Sequence, residues 1–162
     1  MAKKGGAARE PEGLRTIRSG IGQGYTPPIA KLIGFELTRV GKGFAWMEMN
    51  AGPQHANPMG TLHGGILCDI SDAAMGIAYV TLLGANESFT TMELKINFLR
   101  PVWTGHMTAK ARVLKKGRST GLIVCKVTDD KGRLVAFATS TCITIVGAAG
   151  RGLSREKLEK SR

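Results

Sequence analysis

Acidic residues are scarce in this chain: 12 Asp and Glu face 23 Lys and Arg, giving 162 residues a formal charge of +11. A basic balance of that size favours polyanions as partners, whether nucleic acid, an anionic membrane or a phosphate-bearing small molecule. Aromatic residues are few, at 6%, and none is interleaved with the densest basic run. Without such rings a base-stacking platform is not evident, and no helix-turn-helix or zinc-finger pattern replaces it, so no nucleic-acid partner is expected. Cysteine is also sparse: Cys68, Cys125 and Cys142 are an odd number with no C-x-x-C spacing. That argues against a disulfide framework and for a reducing compartment, the cytoplasm. The longest apolar stretch, Ile66 to Leu83, contains Asp69 and Asp72. Each would cost ~2.5–3.5 kcal/mol at mid-membrane, so no membrane span is expected. Met1-Ala-Lys-Lys-Gly-Gly carries charge with no apolar segment behind it, so no secretory signal is visible.

What is present suits one globular domain: 43% of residues are apolar and 22% charged. The two ends read differently from the middle. Residues 1–20 and 147–162 are rich in Gly, Ala and charge, each with a net charge of +3, and read as loose basic tails. A short surface helix over Ser154 to Ser161 is the one element expected there. The remaining +5 lies in the body, 21–146, where Lys110, Arg112, Lys115, Lys116 and Arg118 occur without an intervening acid. This run reads either as a solvated strand face leading into a turn or as a clamp for phosphate groups.

Within the body, Ile66, Ile70, Ala73 and Ile77 recur at helical spacing, with Leu67, Ala74 and Ala78 beside them. A helix from about Gly64 to Leu83 is predicted, apolar nearly all round and therefore internal. The rest alternates with the period of strands. Ile33, Phe35 and Leu37 form one run, and Ala45, Met47 and Met49 a second. Met92, Leu94, Ile96 and Phe98 form a third, and Met107, Ala109, Ala111 and Val113 a fourth. Thr120–Thr128 and Leu134–Ile145 follow across the turns Lys116-Gly117-Arg118 and Asp130-Lys131-Gly132. The order β, β, α, β, β, β, β defines an α+β protein whose antiparallel sheet curls around one long helix.

Chemistry concentrates at the helix entrance, Asn57-Pro58-Met59-Gly60-Thr61-Leu62-His63-Gly64-Gly65. Two glycines there permit close backbone approach and leave amide N–H groups pointing outward at the positive end of the helix dipole. Such an arrangement suits an anion or a developing oxyanion, although a Gly-Gly pair is also an ordinary loop feature. Asp72, nine residues after His63, lies deeper in the apolar helix, where the dipole no longer favours it. Taken alone, it reads as a structural hydrogen-bonding group or as a catalytic acid or base, the former being commoner.

Other constellations are weaker. Cys68 on the helix reads as a small hydrophobe. His55, His63 and His106 lack metal-ligand spacing, so no metal is expected. No G-x-S-x-G motif is present, and Ser71 has no evident base. Thr61 reads as loop chemistry. Trp46 and Trp103 read either as acyl-pocket lining or as edge-strand packing.

His63-Gly64-Gly65 with Asp72, and Asn57 six residues before the His, resembles the PaaI-like (phenylacetate-pathway) thioesterases of the hotdog-fold 4-hydroxybenzoyl-CoA thioesterase superfamily. The resemblance continues through Thr91–Pro101, Lys116–Ser119 and Asp130–Ala136, and so covers about residues 30–146. It implies a hotdog fold and metal-free hydrolysis of an acyl-CoA thioester, with no cofactor beyond the CoA of the substrate. By position, it implies that Gly64 offers its N–H to the thioester carbonyl and that Asn57 orients the carbonyl or the water. Asp72 would be general base or nucleophile, Thr91 (or Thr90, one residue away) would place the water, and His63 would shape the loop. Gly64 and Asp72 are eight residues apart, a rise of ~12 Å on one helix, too far to serve one reacting centre. If both are catalytic, each site joins Gly64 of one protomer to Asp72 of another, giving a homodimer that the family commonly pairs into a tetramer. Lys115, Lys116 and Arg118 are then candidates for the CoA phosphates. The competing readings are a non-catalytic acyl-CoA sensor of the same fold and a hotdog dehydratase or hydratase.

Overall fold

The computed structural model describes residues 10–22 and 26–147. Two short helices, α1 (Glu12–Gly22) and α2 (Pro28–Ile33), precede β1 (Phe35–Gly41) and β2 (Phe44–Ala51). The long helix α3 (Gly64–Val80) follows, then β3 (Glu87–Phe98), β4 (Gly105–Lys116), β5 (Thr120–Asp129) and β6 (Leu134–Val146). The strands form one six-stranded antiparallel sheet in the order β1-β2-β4-β5-β6-β3, with α3 packed along its inner face. The α+β hotdog architecture expected from the sequence is what the chain adopts.

Alternation explains how the sheet takes the helix. On β2, Ala45, Met47, Met49 and Ala51 are buried against α3, while the residues between them face outward. β4 repeats this with Met107, Ala109 and Ala111. The inner strand positions are often alanine, and α3 answers with Ile70, Ala74, Met75, Ala78 and Tyr79, all fully buried. Small residues on both surfaces let the helix lie close, while each large buried apolar side chain contributes about 1.5–3 kcal/mol. None of the described helices is long and apolar enough to cross a membrane.

Three local features differ from the sequence reading. The helix stops at Val80, not Leu83. The Thr81 hydroxyl donates to the Ala78 carbonyl (2.6 Å) and accepts from the Gly43 N–H (2.8 Å), ending the helix and tying the β1–β2 turn to it. In β3, the run from Met92 is not a simple alternation. Thr91 lies opposite Cys142 and Glu93 opposite Thr141, leaving Met92 as the extra residue of a bulge, 60% exposed. The bulge changes the parity of the strand, so that Phe89 and Thr91 before it and Leu94 and Ile96 after it all face α3. Finally, Glu12–Gly22 is helical where a loose tail was expected up to residue 20. Leu14 is buried, Gly13 N–H donates to the Leu83 carbonyl at 3.1 Å, and Arg15 and Arg18 pair with Glu12 and Glu10. The charges that made this segment look loose are paired on its outer side. Residues 1–9 and 148–162, including the expected helix over Ser154–Ser161, lie outside the described residues.

Close packing at the far end of α3 gives a stability prediction. Tyr79 is fully buried, its hydroxyl shares a 2.7 Å hydrogen bond with that of Thr144, and its ring meets Phe89 edge-on. A Cβ at Gly121 on β5 would lie 2.1 Å from Tyr79 Cε2. Gly121→Ala is therefore expected to destabilise the fold by about 1–3 kcal/mol, read as a lowered midpoint in urea. An unchanged midpoint would show that the ring has room to move.

Candidate active site

The loop Asn57–His63 is built on the Asn57 side chain. Asn57 Oδ1 accepts from the N–H groups of Met59 (2.9 Å) and Thr61 (3.2 Å), while Nδ2 donates to Thr61 Oγ1 (2.9 Å). Gly60 adopts φ +82° within this turn, a conformation glycine accepts without cost. Backbone bonds anchor the loop, from Leu62 N–H to the Val102 carbonyl (2.6 Å) and from His63 N–H to the His55 carbonyl (2.9 Å). His55, which lacks metal-ligand spacing in the sequence, is a buried strut. Its Nδ1 accepts from Gly52 N–H (3.1 Å), and its Nε2 reaches the Ile33 carbonyl (2.9 Å).

His63 caps α3: its Nδ1 accepts from the Gly65 N–H at 2.9 Å. That cap and the Ile66 N–H bond to the His63 carbonyl (3.1 Å) use the second and third amides of the helix. The Gly64 N–H makes no hydrogen bond among the described residues. Close approach explains the glycine itself, since a Cβ at position 64 would stand 2.8 Å from Phe98 Cζ. Phe98, which closes this entrance, carried no signal beyond strand alternation.

Two turns further along α3, Asp72 is half-buried and accepts a 3.0 Å hydrogen bond from Thr91 Oγ1. Thr90, the neighbouring alternative, is exposed and makes no such bond. Among the described residues no cation lies within 4.0 Å of the Asp72 carboxylate, so acceptor capacity is left for a water or substrate. Its charge is felt by its neighbours. Partial burial pushes the Asp69 carboxyl up, and the Asp72 charge pushes it further. The Cys142 thiol, opposite Thr91 on β6, is raised by burial and by Asp72, against hydrogen bonds with Ser140 and Thr91. The Cys68 thiol is raised by burial and by Asp69, and that of Cys125 is pushed up to about 12 by burial. Raised thiols are poor nucleophiles at neutral pH, which agrees with reading Cys68 as a small hydrophobe.

Not every candidate converges. Asp72 and Thr91 meet, but Gly64 lies ~12 Å away along the helix axis, and Asn57 spends its amide on its own loop. Lys115, Lys116 and Arg118 sit beside the opposite end of α3, where the β4–β5 turn borders Gly121 and Tyr79. Lys116 is engaged there: its Nζ lies 3.2 Å from Glu87 Oε2, and Glu87 also accepts from the Gly84 N–H at 2.9 Å. Lys115 and Arg118 are exposed. Trp46 points away from α3 on the outer face of the sheet, and Trp103 is 60% exposed.

The Glu87 contact carries a pH signature. The Gly84 N–H, followed by Lys116, holds the Glu87 carboxyl below its ordinary range against the opposing effect of burial. A depressed carboxylate stabilises the fold above its unfolded pKa, and the contribution disappears as pH falls through the folded value. Glu87→Gln is expected to lower Tm at pH 7 by an amount matching ~0.2–1 kcal/mol. The gap between wild type and variant should close below about pH 4. A gap that persists in acid would mean that Glu87 acts by shape and not by charge.

The helix that the sheet wraps thus carries a free entrance amide and, two turns on, a carboxylate that accepts from Thr91 and meets no cation among the described residues. Comparison with known proteins gives the family. The family model described as the Thioesterase superfamily matches residues 59–136, which include Gly64, Asp72 and Thr91. A protein of Saccharolobus solfataricus, provisionally named an esterase, is 34% identical over 110 residues, covering 68% of this chain and 78% of that one. The acyl-coenzyme A thioesterase PaaI of Escherichia coli is 32% identical over 110 residues, 67% of this chain and 76% of its own. The solved structure of the E. coli PaaI protein from the phenylacetic acid degradation operon superposes with a TM-score of 0.75 over 86% of this chain and 98% of that one, at 24% identity, and shares its fold. The chain belongs to the thioesterase superfamily as a PaaI-like hotdog protein, and is a thioester hydrolase.

Proposed function

We propose that the substrate is an aromatic or medium-chain acyl-CoA, hydrolysed to the free acid and CoA. The observation that carries the reading is the Asp72 carboxylate: half-buried, held by Thr91 and by no cation among the described residues, on the same helix as an unused Gly64 N–H. Asp72 acts as base toward water or as nucleophile through an anhydride, Thr91 holds the carboxylate and the water, and the Gly64 amide receives the oxyanion. Asn57 and His63 hold the loop from which that amide projects. The acyl-CoA class is that of the E. coli relative's name. No cofactor is required, since the CoA belongs to the substrate.

The active unit in this proposal is a homodimer with shared sites, two of which would pair as a tetramer. Separation of Gly64 and Asp72 along one helix supports it. So does β3, a 12-residue strand at the sheet edge with Met92 and Phe98, and Leu99 just beyond it, more than half exposed. Edges of that length and character are normally paired or covered. The CoA phosphates are assigned to Lys115, Lys116 and Arg118, and charge reversal at Lys115 and Arg118 should raise KM with kcat little changed. An unchanged KM would return these residues to plain surface.

The test is a thiol-release screen across aromatic, short, medium and long acyl-CoAs, with Asp72→Asn as control. Turnover of none of them would favour the sensor reading. Turnover that survives Asp72→Asn would remove Asp72 from the chemistry.

A further inference from the structure

We propose that Cys142 is a positioning residue for thioester hydrolysis, a buried thiol that aims the Thr91 hydroxyl at Asp72. This role rests on the reading of Asp72 as base or nucleophile and carries it one step into the core. The inner face of β6 breaks the pattern of the sheet. Its inward positions run Ala136, Ala138, Ser140, Cys142 and Thr144, all buried. They turn from alanine to groups that hydrogen-bond, whereas the inner faces of β2 and β4 stay apolar. Ser140 and Cys142 have no exposure at all, and a polar group so placed is costly unless it has a partner.

The partners lie in line. Thr91 and Cys142 stand directly opposite each other on paired strands, and both face α3. Opposed residues hold their Cβ atoms ~4.5–5.5 Å apart, close enough for a thiol to meet a hydroxyl. Cys142 Sγ also lies 4.0 Å from Ser140 Oγ, and Ser140 has no other side-chain partner among the described residues. Thr91 Oγ1 continues to Asp72 Oδ1 at 3.0 Å. Ser140, Cys142, Thr91 and Asp72 thus form one chain from the core to the carboxylate.

The direction of the chain follows from its hydrogens. Ser, Cys and Thr each have one to give, and an ionised carboxylate only accepts. With Asp72 ionised, the Thr91 hydroxyl donates to Oδ1, the Cys142 thiol donates to Thr91 Oγ1, and the Ser140 hydroxyl donates to Sγ. Burial, followed by the Asp72 charge, raises the Cys142 thiol against its bonds with Ser140 and Thr91, so the sulfur keeps its hydrogen. A hydroxyl oxygen has two acceptor lone pairs. Once Cys142 fills one, the other is left for an O–H of the attacking water. A raised thiol without exposure is no nucleophile for a thioester, which leaves orientation as what Cys142 supplies.

Kinetics and spectroscopy each test this role. Cys142→Ala should lower kcat for acyl-CoA by about threefold with KM little changed, and Cys142→Ser should recover most of that loss. In a Thr91→Val background Cys142→Ala should cost nothing further, because the hydroxyl it directs is gone. A purely structural cysteine would lower kcat by the same factor in both backgrounds. Equal factors overturn the proposal, as does a Cys142→Ser chain no more active than Cys142→Ala. Should Cys142→Ala not fold, Cys142→Val fills the space and takes its place. The spectroscopic arm needs no turnover. Infrared difference spectra against Cys142→Ser isolate the Cys142 S–H stretch, which lies where other protein groups absorb little. In Thr91→Val that band should move to higher frequency, the direction taken by a thiol that loses its acceptor. A band that stays in place shows no thiol–hydroxyl bond and overturns the proposal. Turnover that survives Asp72→Asn would remove the proposed base and this role together. An inactive Asp72→Asn with equal Cys142→Ala factors would remove Cys142 alone and leave the hydrolase reading standing.

Discussion

Asp72→Asn is expected to lower kcat for acyl-CoA hydrolysis by ~10²–10⁴-fold, with KM changed far less. The amide keeps the size of the carboxylate and can still accept the Thr91 hydroxyl, so the 3.0 Å contact and the packing of α3 survive. What disappears is the group able to take a proton or attack a carbonyl. Thr91→Val should have a smaller effect, about tenfold, because it removes one hydrogen bond to the charged group and leaves the charge. If Asp72→Asn retains its thermal stability and loses turnover, the carboxylate serves chemistry. If it loses stability in proportion to turnover, Asp72 is a structural group and the assignment falls. After a single turnover in heavy-oxygen water, label in the Asp72 carboxylate would mark an anhydride opened at the Asp72 carbonyl, whereas label in the product alone fits either route.

The same residue shows how much of the site was legible beforehand. An acid deep inside an apolar helix is visible as a violation of pattern, and nine residues from His63 it pointed to Thr91 through the resemblance. The hydrogen bond itself depends on the bulge at Met92, which no local rule marks, because a bulge is decided by how β3 registers with β6. Strand alternation placed the core faces of β2 and β4 correctly, since each is governed by residues within the strand. The helical reading of α1 was missed because its charges look solvated in sequence, whereas two of them pair and Leu14 packs inward. Long-range partnerships were equally silent. The Lys116–Glu87 pair spans 29 residues, and the Phe98 ring reaches Gly64 from a strand that begins after the helix has ended. The meeting of Thr91 with Cys142 exists in register alone.

Co-assembly of two inactive chains should restore activity. Gly64→Pro removes the one N–H proposed to meet the oxyanion, and proline at the first position of a helix is well tolerated. Phe98→Ala is included with it, because the added ring carbons would otherwise meet Phe98 Cζ. The second chain carries Asp72→Asn. Each alone should be nearly inactive, the first through loss of ~10²–10³ in kcat. When equal amounts are unfolded together and refolded, half of the dimers are mixed. In each mixed dimer one site receives both defects, and the other receives Gly64 from one chain and an intact Asp72 from its partner. Activity should therefore return to about one quarter of that of unmutated dimers treated alike. If each protomer held a complete site of its own, mixing would restore nothing, because every protomer would keep one defect. The Phe98→Ala single variant must be active for the comparison to count, and its own kcat sets the scale. Recovery would also explain why α3 keeps its two reactive groups ~12 Å apart: the spacing that prevents one helix from forming a site lets two helices form a pair.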